Sequence, residues 1–319
     1  MNATVIIPTH ARPERIGACL RHLRAQSHPV EVLVGLDGED PEAARACADA
    51  HPEARVVTCP RVGYNGVRNL LLEEASGELL LSANDDVLPG PDWVRAHVDA
   101  HREAESRLGG PVTIVGHSPF VRHDDESLFD RLVNETSMIF FWDAMIEDRW
   151  HDQGFRHCYG LNFSARRDLV RDVGAFTSFE RLYGYDDIEL AWRLHRAHGA
   201  PVLFRPEALA PHDHRYAPAE VLDREERLGV SAWAFASERP EFCLDLFGRD
   251  IRSDAELDYA SEFVAREASE VARHREVFLA LGRQAPEVPE ALLPALLQQH
   301  RMLKRWHWRT GLLRGAGRA

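Results

Sequence analysis

The chain has 319 residues, enough for one large core or one domain with a sizeable appendage, because single cores stop growing near ~250–300 residues. Its 45% hydrophobic and 28% charged content is that of a globular protein, and no apolar run approaches the ~18 residues of a membrane span. A net charge of −13 argues against nucleic acid as the main partner, and five cysteines without CxxC spacing give neither a disulfide framework nor a zinc cluster.

The opening MNATVIIPTHARPE breaks its apolar run at Pro8, so it reads as a buried strand and not a secretory segment, and the chain is expected in the cytoplasm. Short apolar runs follow at Glu31 to Asp37, Ala54 to Pro60, Glu78 to Asn84 and Val112 to Gly116. Helical stretches such as PERIGACLRHLRAQ and DPEAARACADAH separate them. This alternation predicts a mostly parallel sheet with helices on both faces. Ligands of such sheets sit at the carboxyl ends of the strands, which singles out Thr9, Arg12, Asp37, Asn84, Asp85 and Asp86. The acidic cluster suits a divalent cation, and Arg12 and Arg68 suit a phosphate or a base. For Asp37 a helix-capping loop is an equal alternative.

Between Ser118 and His157, Phe120, Phe140, Phe141, Trp142 and Trp150 are sugar-stacking candidates or core, as is Trp93 before it. Gly160 to Gly199 reads as a strand, a short helix, a Gly/Tyr-rich loop, and a helix opened by Asp186, Asp187 and Glu189, a placement that the helix dipole alone would favour. After the strand VLFRPEAL, His212 and His214 stand two apart, so an extended backbone puts them on one face as a metal-ligand pair. Two helical patterns, Glu256 to Gly282 and Pro289 to Arg309, follow, with Pro294 kinking or restarting the second. After Glu290 every charged side chain is basic, and Trp306 and Trp308 lie among them. That tail fits peripheral contact with an anionic membrane, packing on the main domain, or a homodimer contact.

The segments VIIPTHARPERI, VGLDGED and GYNGVRNLLLEEASGELLLSANDDVLPGPDW resemble, in order, the N-terminal half of the family 2 glycosyltransferases of GT-A fold. The resemblance implies an α/β GT-A domain over 1–216, with a donor half (1–117) and an acceptor half (118–216), and a helical C-terminal extension over 217–319. It also implies inverting transfer of a sugar from a nucleotide diphosphate sugar, most often a UDP-sugar, to a hydroxyl of a glycan or lipid-linked acceptor. Pro8, Thr9, Arg12, Asp37, Arg68, Asn84 and Asp85 then form the donor site. Asp86 and His212 hold Mn2+ or Mg2+, and Asp187 is the general base. Asp186, Glu189, Trp93 and Trp142 fall on the acceptor side, and His214 and Arg215 lie near the diphosphate. Asn84 stands where the commonest motif has its first Asp, which moves the metal onto Asp86. A nucleotidyltransferase and a non-catalytic sugar-nucleotide binder remain alternatives, although PTHARPERI lacks the former's glycine-rich loop.

Overall fold

A computed structural model describes residues 1–179 and 183–318. Glu180–Leu182, within the loop expected before Asp186, lie outside the described residues. The chain divides into two compact units: Met1–Val121, Met145–Ser178 and Asp186–His214 form the first, and Arg122–Ala144, Phe179–Tyr185 and Arg215–Ala319 the second.

Along the chain run β1 (Ala3–Thr9), α1 (Pro13–Arg24), β2 (Glu31–Asp37), α2 (Pro41–Ala50), β3 (Arg55–Cys59), α3 (Gly63–Glu74), β4 (Leu79–Ala83), α4 (Trp93–Leu108) and β5 (Thr113–His117). The second unit takes α5 (Leu128–Glu135), after which the first resumes with β6 (Asn162–Arg166), α6 (Arg167–Asp172), α7 (Asp186–His198) and β7 (Val202–Leu209). The second unit then holds α8 (Pro218–Glu238), α9 (Pro240–Phe247), α10 (Asp254–Ala280) and α11 (Leu292–Gly315).

The first unit is built on one seven-stranded sheet in the order β3-β2-β1-β4-β6-β5-β7. All pairings are parallel except those of β6, which runs antiparallel to both β4 and β5. Strands β1 and β4 are buried along their whole length, as unbroken apolar runs in a doubly covered sheet must be. Helix α3 lies close on β2 because Gly35 offers no side chain: a Cβ there would come within 2.2 Å of Val67 Cγ1. Asp40 caps α2 by accepting from the Ala43 N–H at 2.9 Å, with Pro41 in the first turn, where its missing N–H costs nothing. Behind the sheet, Trp93 is 1% exposed and donates to Asn162 Oδ1 at 2.8 Å, and His97 and His101 bond Ser164 Oγ at 2.8 and 2.9 Å. Burial drives His97 down to about 4 and His101 to about 3, so both imidazoles stay neutral.

In the second unit, α8 and α11 cross backbone to backbone. A Cβ on Gly229 would meet the Trp308 carbonyl at 2.0 Å, and one on Gly311 the Glu226 carbonyl at 2.0 Å. Pro294 falls in the first turn of α11, so the helix starts there and is not kinked. Trp306 donates to the Val264 carbonyl and Trp308 to Tyr185 Oη, which turns both indoles inward on their own unit. Helices α8 and α9 fill a stretch for which the sequence pattern gave no element. All five cysteines are buried thiols outside any disulfide.

Candidate active site

The site stands at the carboxyl ends of β1, β2 and β4. Thr9 closes β1 and donates from Oγ1 to Asp85 Oδ2 at 2.7 Å; Arg12 Nη1 reaches Asp85 Oδ1 at 2.8 Å and Asp86 Oδ2 at 3.1 Å. Both carboxylates are about 95% buried, whereas the Arg12 side chain is 43% exposed. Burial and the adjoining charge of Asp86 push the Asp85 carboxyl up, against the hydrogen bond from Thr9 and the charge of Arg12.

Asp86 meets two histidines. The segment after β7 is laced on both sides, with His212 N–H donating to the Pro119 carbonyl and Asp213 N–H to that of Asp86, so it runs extended and turns side chains 212 and 214 the same way. His212 Nε2 lies 3.3 Å from Asp86 Oδ1 and His214 Nδ1 3.4 Å from Asp86 Oδ2. The two rings stack at 5.4 Å, and Phe120 stacks on His212 at 5.1 Å. One ligating atom from each of the three residues falls within 4.8 Å of the others. Burial opposes ionisation of Asp86, but the hydrogen bonds from the two histidines outweigh it and hold the carboxyl far below its usual range. A buried, ionised oxygen ligand facing two imidazoles is a donor set that fits a divalent first-row metal.

A cavity of about 250 Å³ opens beside this cluster. Pro8, Thr9, Arg12, Asp37, Asn84 and Asp85 line it, together with His10 and Tyr64. Asp37 serves two ends, since its Oδ1 also accepts from the Val62 and Gly63 N–H groups at 2.8 and 3.2 Å and so caps α3. Tyr64 Oη donates to Asn84 Oδ1 at 2.6 Å, a bond that an aspartate in place of Asn84 would also accept. Sequence reasoning missed Tyr64 and His10, although both follow strands at the ligand end of the sheet.

Three expected positions of the first unit, Arg68, Glu189 and Trp93, are not among the residues that line this cavity. Arg68 is fully buried and outside the cavity lining, with Nη1 on Asp187 Oδ1 at 2.6 Å and Asp186 Oδ2 at 3.2 Å, so its guanidinium does not face the donor cavity. Glu189 is fully buried, accepts from Thr177 Oγ1 at 2.8 Å and pairs with Arg193. Trp93 packs behind the sheet, on Asn162. Arg215 belongs to the second unit, where Asp125 and Asp130 take its guanidinium. Trp142 belongs to that unit too, its ring 5.6 Å from Phe140.

Asp186 and Asp187 open α7, and the two carboxylates differ. Asp187 is partly open, its side chain 23% exposed, and its Oδ2 accepts from the Gly160 N–H at 3.0 Å. Asp186 is buried; loss of water and the charge of Asp187 push it up to about 7.

Residues 4–174, more than half of the chain, match the family model described as glycosyl transferase family 2. The chain belongs to glycosyl transferase family 2. Among curated members it is 25% identical over 246 residues to the pre-mycofactocin glycosyltransferase of Mycobacterium tuberculosis, an alignment covering 75% of this chain and 48% of that one. It is 24% identical over 214 residues to the glucosyl-dolichyl phosphate glucuronosyltransferase of Haloferax volcanii, covering 64% and 63%. The chain thus spans about half to two thirds of the length of these relatives. A solved mannosyltransferase from Pyrobaculum calidifontis, in complex with GDP-Man and Mn2+, superposes with a TM-score of 0.56 at 19% identity, covering 97% of this chain and 86% of the other. That likeness is one of fold. The mostly parallel sheet flanked by helices, with its helical C-terminal extension, is the GT-A architecture of the family 2 enzymes.

Proposed function

We propose that this family 2 chain is an inverting glycosyltransferase that moves a sugar from a UDP-sugar to a hydroxyl group of a glycan or lipid-linked saccharide. The observation that carries the reading is the meeting of Asp86, His212 and His214 at the rim of a cavity lined by Thr9, Arg12, Asp37 and Asp85. In the proposed arrangement Thr9 and Asp37 hold the base, Asp85 the ribose, and Arg12 turns from the carboxylates to the diphosphate. Asp86 and His212, with His214 beside them, would hold Mn2+ or Mg2+. A cation held there would supply positive charge against that of the diphosphate leaving group. Asp187 takes the proton of the acceptor hydroxyl as that oxygen bonds to the anomeric carbon and the bond to the diphosphate oxygen breaks, a single displacement that inverts the configuration. Residues 1–117 serve the donor and 118–216 the acceptor, with 217–319 as an extension.

A lipid-linked acceptor is supported by the activity for which the Haloferax relative is named. Among the described residues no helix is long and apolar enough to cross a membrane. Placement in the cytoplasm, with α11 touching the membrane or a second copy, belongs to this proposal, although the indoles of Trp306 and Trp308 are turned inward on their own unit.

The test is thermal unfolding in UDP, GDP or dTDP, with and without Mn2+. UDP with Mn2+ is expected to raise the melting temperature by a few degrees, since ligands of the native state stabilise it, and Asp86→Ala to abolish the rise. Indifference to every nucleotide under both metal conditions would overturn the donor-site reading.

A further inference from the structure

We propose that Arg68 is a positioning residue for Asp187, acting through a closed ring of hydrogen bonds with Ser82 and Gly160. The inference rests on the assignment of Asp187 as base. Four bonds make the ring. Arg68 Nη1 donates to Asp187 Oδ1 at 2.6 Å, and Arg68 Nη2 to Ser82 Oγ at 2.8 Å. Ser82 Oγ donates its own proton to the Gly160 carbonyl at 2.8 Å, and the Gly160 N–H returns to Asp187 Oδ2 at 3.0 Å. Each oxygen of the carboxylate is therefore held by a different arm of one network, which fixes the plane of the group as well as its position.

The support beneath the ring is rigid. Ser82 belongs to β4 and pairs across the sheet with Phe163 of β6, so one arm is anchored in the antiparallel stretch beside the site. Arg68 has no exposed surface, and its Cζ sits 3.8 Å over the ring of Phe176 and 5.7 Å from that of Phe163. A buried guanidinium is costly unless its charge and its N–H groups are met; here two aspartates, Asn65 and Ser82 take the two Nη groups, while Nε has no hydrogen-bond partner. Gly160 is required on steric grounds, because a Cβ there would lie 2.0 Å from Asp187 Oδ2.

The arrangement has a chemical purpose. A carboxylate offers about four acceptor sites, and the ring takes one on each oxygen, leaving the remainder for an acceptor hydroxyl at the 23% of the Asp187 side chain that is exposed. A planar fork reaches Asp187 and Ser82 in fixed directions, whereas an ammonium is a point charge on a flexible stem and fixes neither direction.

The experiment compares Ser82→Ala, Arg68→Lys and Asp187→Asn with the parent chain. It reads the affinity for UDP with Mn2+ by calorimetry, and the kcat of nucleoside diphosphate release from UDP-, GDP- and dTDP-hexoses. Ser82→Ala opens the ring while leaving the direct ion pair, and it should lower kcat about tenfold; Arg68→Lys should lower it about a hundredfold, as expected for a misplaced catalytic group. In both, UDP affinity should stay within about twofold, the signature of an interaction made only in the transition state. If UDP affinity falls in step with kcat, Arg68 is a donor ligand and the proposal is wrong. It is equally wrong if both variants keep the parent kcat while Asp187→Asn is inactive. Full turnover by Asp187→Asn removes instead the base assignment on which the proposal stands. Should Arg68→Lys fail to fold, Ser82→Ala decides alone, since it removes one hydroxyl and leaves the Arg68–Asp187 pair in place.

Discussion

Asp85–Asp86 and Asp186–Asp187 are chemically the same object, two adjacent aspartates with an arginine Nη1 bridging both carboxylates, yet their surroundings differ. Arg12 stands 43% exposed on the loop after β1, whereas Arg68 is fully enclosed among aromatic rings. Two histidines face the first pair, while the second has a backbone N–H and the start of a helix. The difference teaches that the exposure of the arginine separates a ligand-facing group from a scaffold. A half-open guanidinium can leave its carboxylates for a phosphate; an enclosed one cannot.

The largest test of this contrast is stability. Arg68→Ala strands the buried Asp186 and the partly open Asp187 and should cost about 3–5 kcal/mol, whereas Arg12→Ala, discounted for solvent screening, should cost about 1 kcal/mol or less. Urea unfolding measures both, and equal losses would break the comparison. Metal affinity comes next. His214→Ala should weaken Mn2+ binding about tenfold, about 1.4 kcal/mol, followed by calorimetry with the metal alone, and an unchanged affinity would leave Asp86 and His212 as the whole site.

A third test is of pH. Asp186 is raised to about 7 from an unfolded value near 3.8, so between those limits the folded chain holds a proton that the unfolded chain has released. The stability Asp186 contributes is therefore present at the acid end and lost as pH rises, by at most about 1.4 kcal/mol per unit. Asp86, held far below 3.8, is ionised in both states across that window and adds no slope there. Asp186→Asn should accordingly flatten the fall in urea midpoint between pH 5 and 7. A wild-type midpoint with the same pH slope as the variant's would contradict the asymmetry.

The parts of this molecule legible in its sequence are those written as local pattern. The runs at 31–37 and 202–209 are strands with those limits, because short runs rich in apolar residues and bounded by turns have few other uses. His212 and His214 are readable as a pair because two-residue spacing fixes a face in any extended backbone. Pairing order is not local: nothing in NFSAR announces that it enters the sheet antiparallel between β4 and β5. The burial of Arg68, expected at the donor site, is hidden for the same reason. An arginine on a helix carries no mark of burial, and its partners Asp186 and Asp187 lie 118 and 119 residues away. Helices α8 and α9 escape the pattern because their apolar positions are spread through a charged stretch, and close contact at Gly229 depends on a helix some eighty residues on.

Gly35 has a reach beyond its own strand. Its bare backbone acts as a shim of zero thickness between β2 and α3, and the helix resting on it carries Arg68 into the molecule. A methyl group there would press on Val67 and lift the helix, moving a guanidinium whose bond to Asp187 has little slack at 2.6 Å. A variant at position 35 would then read in an assay as a defect of the chemistry, though the altered atom touches neither donor nor base. Directed-evolution libraries that spare only the visible site would find this position closed without seeing why.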